Sequence, residues 1–156
     1  MILPSDFRDL LEVLGASRVK YVILGGYAVV FHGRPRATKD MDLFVRLDAE
    51  NLQHLSEALD QFGAPRDVVD AARSMTASDI LYFGAPPLRV DFLGFASGIE
   101  FDETYAHALV VDVDGVSTRI ISLDDLITNK RASGRPRDIE DGALLERIRS
   151  RKAATK

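Results

Sequence analysis

Two glycines close an apolar run, and thirteen residues later two aspartates alternate with apolar residues. No other feature restricts so strongly what this chain can fold into. The stretch GGYAVVFHGRPRATKDMDLFV runs from Gly25 to Val45. Before it, Lys20–Leu24 reads as a buried strand. Gly25-Gly26 reads as a turn, and Tyr27–Gly33 as a short apolar helix stopped by Gly33 and Pro35. The run DMDLFVRL then reads as a strand. Side chains alternate across a strand, so Met41, Leu43 and Val45 share one face while Asp40, Asp42, Phe44 and Arg46 share the other.

Asp40 and Asp42 therefore stand side by side. Adjacent carboxylates repel, and each raises the pKa of the other. On an exposed strand that cost is small and carries no message. At the edge of an apolar sheet it is tolerated mainly when a cation lies between them, and hard divalent ions take oxygen ligands. Three further features bear on the choice. Glycines at a strand-to-helix junction let the backbone approach a phosphate, although a plain tight turn needs them equally. Asp91 lies inside the apolar run LRVDFLG and needs a partner there, either a metal or Arg89 on the same face. Arg34, Arg36, Thr38 and Lys39 directly precede the aspartates. They suit phosphate oxygens, or they form a solvated loop. Together they make an inventory for two-metal phosphoryl or nucleotidyl transfer.

The rest of the chain sets the frame. Ser5 is placed to cap a first helix carrying Phe7, Leu10, Leu11 and Leu14 and ending at Gly15. Asp48 caps another, with Leu52, Leu55, Leu59 and Phe62 at helical spacing up to Gly63. Residues 64–78 are ambiguous, with a short helix over Val68–Ser74. DILYFG and LRVDFLG read as strands, and residues 95–108 as a loop or short helix. LVVDVDGVSTRII reads as a hairpin turning at Asp114-Gly115. Two helices follow, the first opened by a Ser122/Asp125 capping box and separated from the second at Ser133–Pro136. This order is not a regular βαβ alternation. It predicts an α+β fold, a small mixed twisted β-sheet flanked by helices.

At 156 residues the chain predicts a single domain over 1–156, with a core at about 20–145 and a basic helical tail over 146–156. It has no cysteine, which excludes disulfides and thiolate metal sites. No apolar run is long enough to span a bilayer. The opening residues lack a basic segment followed by an apolar one, so no signal peptide is expected and cytoplasm is the default location. Net charge is -4, which does not indicate attraction of the whole protein to nucleic acid. The charge is uneven, however, because residues 130–156 carry nine Lys/Arg against four Asp/Glu. That basic end either holds phosphates or a partner, or is a solvated helix end. His32, His54 and His107 form no cluster. His32 reads as a partly buried helix residue before it reads as a nucleotide contact, and His54 should face solvent.

On these residues the chain resembles the DNA polymerase β-type nucleotidyltransferase superfamily. That pattern is an apolar residue, Gly, Gly or Ser, a spacer of about a dozen residues, then Asp-apolar-Asp-apolar. Here it reads Leu24-Gly25-Gly26 and Asp40-Met41-Asp42-Leu43, with Asp91 matching the third carboxylate. Arg36-x-Thr38-x-Asp40-x-Asp42, together with Lys130, Arg137, Asp138 and Asp141 near the C-terminus, is similar to the minimal nucleotidyltransferases, including AbiEii-like toxins. The resemblance covers about residues 20–145. It implies the nucleotidyltransferase fold and a Mg2+-dependent transferase using two ions, moving NMP from an NTP such as ATP to a hydroxyl of an RNA end or a protein side chain. It implies catalytic and metal-ligating roles for Asp40, Asp42 and Asp91, and nucleotide binding by Gly25, Gly26, Arg36, Thr38, Lys39 and Lys130. A toxin–antitoxin setting with a partner antitoxin chain follows from the subgroup. The alternative is a non-catalytic nucleotide- or partner-binding module of the same fold. Gly26 departs from members with serine there, which removes a side-chain hydroxyl. Asp141 is expected to pair with Arg137 one helical turn away, in a structural role.

Overall fold

Tyr21–Leu24 is apolar and buried on both faces, as the middle strand of a covered sheet must be. The computed structural model describes residues 3–38, 40–86 and 88–155. In chain order the elements are α1 (Ser5–Ala16), β1 (Tyr21–Leu24), α2 (Gly25–Phe31), β2 (Asp40–Val45), α3 (Ala49–Phe62) and α4 (Arg66–Ala72), then β3 (Ile80–Phe83), β4 (Arg89–Leu93) and α5 (Phe101–His107), and finally β5 (Leu109–Val113), β6 (Val116–Ile120), α6 (Leu123–Ser133) and α7 (Pro136–Ala154). The strands form one sheet in the order β3-β4-β2-β1-β6-β5. β1 runs antiparallel to β2 and parallel to β6, and β2 runs parallel to β4. Each outer pair, β3/β4 and β5/β6, is antiparallel. This is the α+β class: a mixed six-stranded sheet flanked by helices.

The expected alternation in β2 holds. Met41, Leu43 and Val45 are buried in the same core as Leu10, Leu11 and Leu14 of α1 and Leu55 and Leu59 of α3. Phe44, on the aspartate face, is also buried, because Phe101 of α5 packs edge-on against it at 5.2 Å. The carboxylate end of that face stays open beyond this aromatic lid. The strand stops at Val45, so Arg46 lies past its end.

Several local readings are refined. The two glycines are not a separate turn; they are the first residues of α2, and Gly25 sits at φ +64. Ser5 lies inside α1 and Pro4 occupies the capping position without a side-chain cap, while the helix runs one residue past Gly15. Asp48 caps α3 through the Asn51 amide, and Gly63 closes it in the left-handed region. Ser122 accepts from the Asp125 amide, and Asp114-Gly115 turns the β5/β6 hairpin. The ambiguous segments settle as the short helices α4 and α5. Among the described residues no helix is long and apolar enough to cross a membrane.

Candidate active site

The register of three strands brings the carboxylates together. Leu24 at the end of β1 faces Asp42 of β2, and Asp42 faces Asp91 of β4. Asp40 faces Arg89 in the same ladder. Burial pushes the Asp42 carboxyl up to about 6, and the negative charges of Asp91 and Asp40 add to the shift. Lys130 and Arg135 oppose it without cancelling it. Asp40 Oδ1 is buried with no hydrogen-bond partner among the described residues. Asp91 is satisfied differently, since Arg89 Nε donates to its Oδ1 at 2.7 Å and the Arg89 guanidinium lies over the Tyr82 ring. The salt-bridge alternative for Asp91 is therefore present.

Both glycines are required by what lies against them. A Cβ on Gly25 would overlap the Asp42 carboxylate, and one on Gly26 would overlap the Thr38 hydroxyl. Thr38, from the segment before β2, puts its hydroxyl into the space that a side chain at position 26 would occupy.

A second buried carboxylate organises the basic residues. Asp141 of α7 is 0% exposed. Arg36 Nη1 donates to its Oδ2 at 2.5 Å, and Lys130 Nζ lies 3.6 Å from the same oxygen. Arg34 Nη1 is 2.8 Å from Oδ1 without the alignment of a hydrogen bond, so charge rather than direction holds it. The expected Arg137–Asp141 pair is not formed; Arg137 is exposed, and Asp141 is turned inward to cations more than a hundred residues away in sequence. Lys130 is itself buried and donates to Asp138 Oδ1 at 3.0 Å. Burial raises the Asp138 carboxyl, but hydrogen bonds from Ser133 and Lys130, with the charges of Lys130 and Arg135, outweigh that and hold it below its ordinary value. Arg36 Nε is buried and donates to nothing among the described residues.

The expected residues are thus mostly assembled. Gly25, Gly26, Thr38 and Arg36 adjoin one another, and Gly25, Asp42 and Lys130 line one cleft with Arg135 and Asp138. Lys39 lies outside the described residues. Arg135 and the hub role of Asp141 escaped sequence reasoning, and Arg34, read there as suited to phosphate or as part of a solvated loop, instead faces Asp141. His32 is buried, with Nε2 hydrogen-bonded to the Ile121 carbonyl oxygen at 2.7 Å, and belongs to the packing.

The donor chemistry fits a divalent cation at Asp40 and Asp42. The two carboxylates repel, one oxygen is orphaned, and the set is all oxygen. Among the described residues no three acidic or histidine side chains gather round one ion position, because Asp91 is drawn to Arg89.

Sequence and fold comparisons place the chain among known proteins. The profile of a family described as "nucleotidyl transferase of unknown function (DUF2204)" matches residues 4–155. The fold is similar to the crystal structure of a candidate nucleotidyltransferase from Thermotoga maritima, with a TM-score of 0.61 at 15% identity. That match covers 97% of this chain and 96% of the other. No curated protein matches the sequence.

Proposed function

Because the chain belongs to this nucleotidyl transferase family, we propose that it moves a nucleoside monophosphate from an NTP to a hydroxyl acceptor with the help of Mg2+. The observation that carries the reading is the Asp42 cluster: a half-buried carboxylate beside two others, with a glycine placed so that only hydrogen stands in its way. Carboxylates set side by side repel, and a cation between them relieves that cost.

Asp40 and Asp42 would hold the divalent ion, and Asp91 would join them on leaving Arg89. Bound there, the ion would neutralise the carboxylates and the phosphate charge. The chain itself does the positioning. Gly25 and Gly26 admit the triphosphate close to the backbone, and Thr38 offers its hydroxyl there. Arg36 offers its buried, unengaged Nε, and Lys130 and Arg135 supply charge within the cleft beside Asp42. The acceptor oxygen bonds to the α-phosphorus, the bond to pyrophosphate breaks, and the hydroxyl proton is released. Fixed charges of this kind act on the transition state without reorganising.

The acceptor classes favoured are an RNA end or a protein hydroxyl, and the AbiEii-like motifs support a toxin held by an antitoxin partner. Incubation with each α-phosphate-labelled NTP, Mg2+ and a cell extract tests this. Label enters RNA or protein with the wild type and not with Asp42→Asn. A folded protein that binds NTP but labels nothing would instead support the binding-module reading, which the Arg89–Asp91 pair favours.

A further inference from the structure

Beside the carboxylates lies a small cavity of about 240 Å³. Its walls differ. Lys130 and Arg135 line one side, next to Asp42 and Gly25. Ile80 and Phe95 line the other, and each is 61% exposed. Large apolar side chains that open to water beside a charged site call for an occupant.

The backbone that presents Phe95 is held on both sides. A Cβ on Gly94 would overlap the Thr76 carbonyl oxygen, and Gly98, at φ +75, packs against Ala132 and Thr128 of α6 with no room for a Cβ. The ring is exposed on a fixed loop, which is how a stacking platform is made. Asn129 of α6 also lines the cavity and donates Nδ2 to the Ser97 carbonyl oxygen at 2.9 Å. Turning the amide over would set two oxygens against each other, so Oδ1 is the atom left to accept from a ligand.

We propose that the Phe95 end of this cavity seats the nucleobase of the NTP, with Phe95 stacking on the ring and Asn129 Oδ1 accepting from an exocyclic amino group. The charge pattern fits a nucleotide: cations and carboxylates at the phosphate end, apolar wall at the base end. Adenine and cytosine carry an amino group where guanine and uracil carry a carbonyl oxygen, so the site favours ATP and CTP. The inference rests on the transferase reading above and adds which residues choose the nucleotide.

Calorimetric titration with Mg2+, using the four NTPs and inorganic tripolyphosphate, tests it on the intact protein. The wild type binds ATP and CTP about tenfold more tightly than GTP and UTP. Phe95→Ala weakens every NTP by roughly tenfold or more and leaves tripolyphosphate unchanged. Phe95→Leu, which keeps bulk but not the ring, recovers only part of the loss. Asn129→Leu flattens the preference among bases, again without touching tripolyphosphate. Equal affinities for all NTPs in wild type and Phe95→Ala overturn the assignment and give the cavity to the acceptor. Parallel loss of NTP and tripolyphosphate binding in Phe95→Ala also overturns it, as a general loss of structure. A wild type that binds neither NTP nor tripolyphosphate overturns the transferase reading itself, a result distinct from the others.

Discussion

Two carboxylates, Asp141 fully buried and Asp42 half-buried, lie within the same basic and acidic neighbourhood, and they live in opposite surroundings. Asp141 meets Arg34, Arg36 and Lys130. Asp42 meets Asp40 and Asp91, with the cations of the cleft too weak to offset them. The first is balanced from within the chain. The second is a deficit that the chain leaves open, and its glycine neighbour has been shaved to keep it there. On the proposed function the difference separates scaffold from site: one carboxylate is finished by folding, and the other would be finished by a ligand. A single substitution at each should therefore act with opposite sign on stability.

The largest effect belongs to Asp141→Ala. It leaves three cations without their shared buried partner, and breaking a buried ion cluster from one side costs about 3–5 kcal/mol. Urea unfolding at neutral pH measures it. A loss under about 1 kcal/mol would mean that water reaches Arg36 and Lys130 far more freely than their burial implies.

Asp42→Asn should do the reverse. The carboxyl titrates near 3.8 when free and near 6 in the folded chain. The folded state therefore holds the proton more tightly, so stability falls as pH rises through that window. Above about pH 6 the cost stands in full, at about 2–3 kcal/mol without metal. Asn removes the cost, so the variant is more stable than wild type at pH 7 and equal to it below about pH 4. Adding Mg2+ should raise the melting temperature of the wild type and leave the variant where it was. An Asp42→Asn protein less stable than wild type at pH 7 would erase the contrast with Asp141.

How much of this could be read beforehand follows the range of the interactions. The faces of β2 were legible because alternation is local, whereas Asp91 was joined to Asp42 only by the family resemblance, and the β2/β4 register that pairs them was not legible. The Asp141 hub was not legible. Helical spacing offers Arg137 as the partner, but an exposed pair one turn apart contributes a few tenths of a kcal/mol, whereas burying Asp141 demands cations inside. Arg34 and Arg36 answer that demand from 107 and 105 positions away in sequence, a relation no local pattern carries. The placing of Thr38 was half legible: its position beside the aspartates was visible, its hydroxyl against Gly26 was not. Phe95 read as an ordinary loop residue, because sequence does not distinguish an exposed ring from a buried one.

Gly25→Ala tests the open side of the contrast more gently. Two costs enter: a side chain at φ +64, and a Cβ overlapping the Asp42 carboxylate. Together they should destabilise by about 2 kcal/mol, of which about 1 belongs to the backbone. In an Asp42→Ala background the carboxylate is gone, so the same change should cost only the backbone share. Additive costs in the double variant would mean that the glycine serves the turn alone and not the carboxylate.

The smallest effect sharpens the closed side. Arg34 also reaches Glu140, at 3.4 Å, but that carboxylate is 67% exposed. An exposed pair is screened and must order two flexible side chains, so Glu140→Gln should shift stability by less than about 0.5 kcal/mol, and less still in high salt. Set beside Asp141→Ala, it compares two acidic contacts of one arginine that differ chiefly in burial. If the two variants destabilised alike, the burial of Asp141 would not be what makes its cluster matter. A loss confined to Asp141 would tie the basic wall of the cleft to that one buried charge on α7.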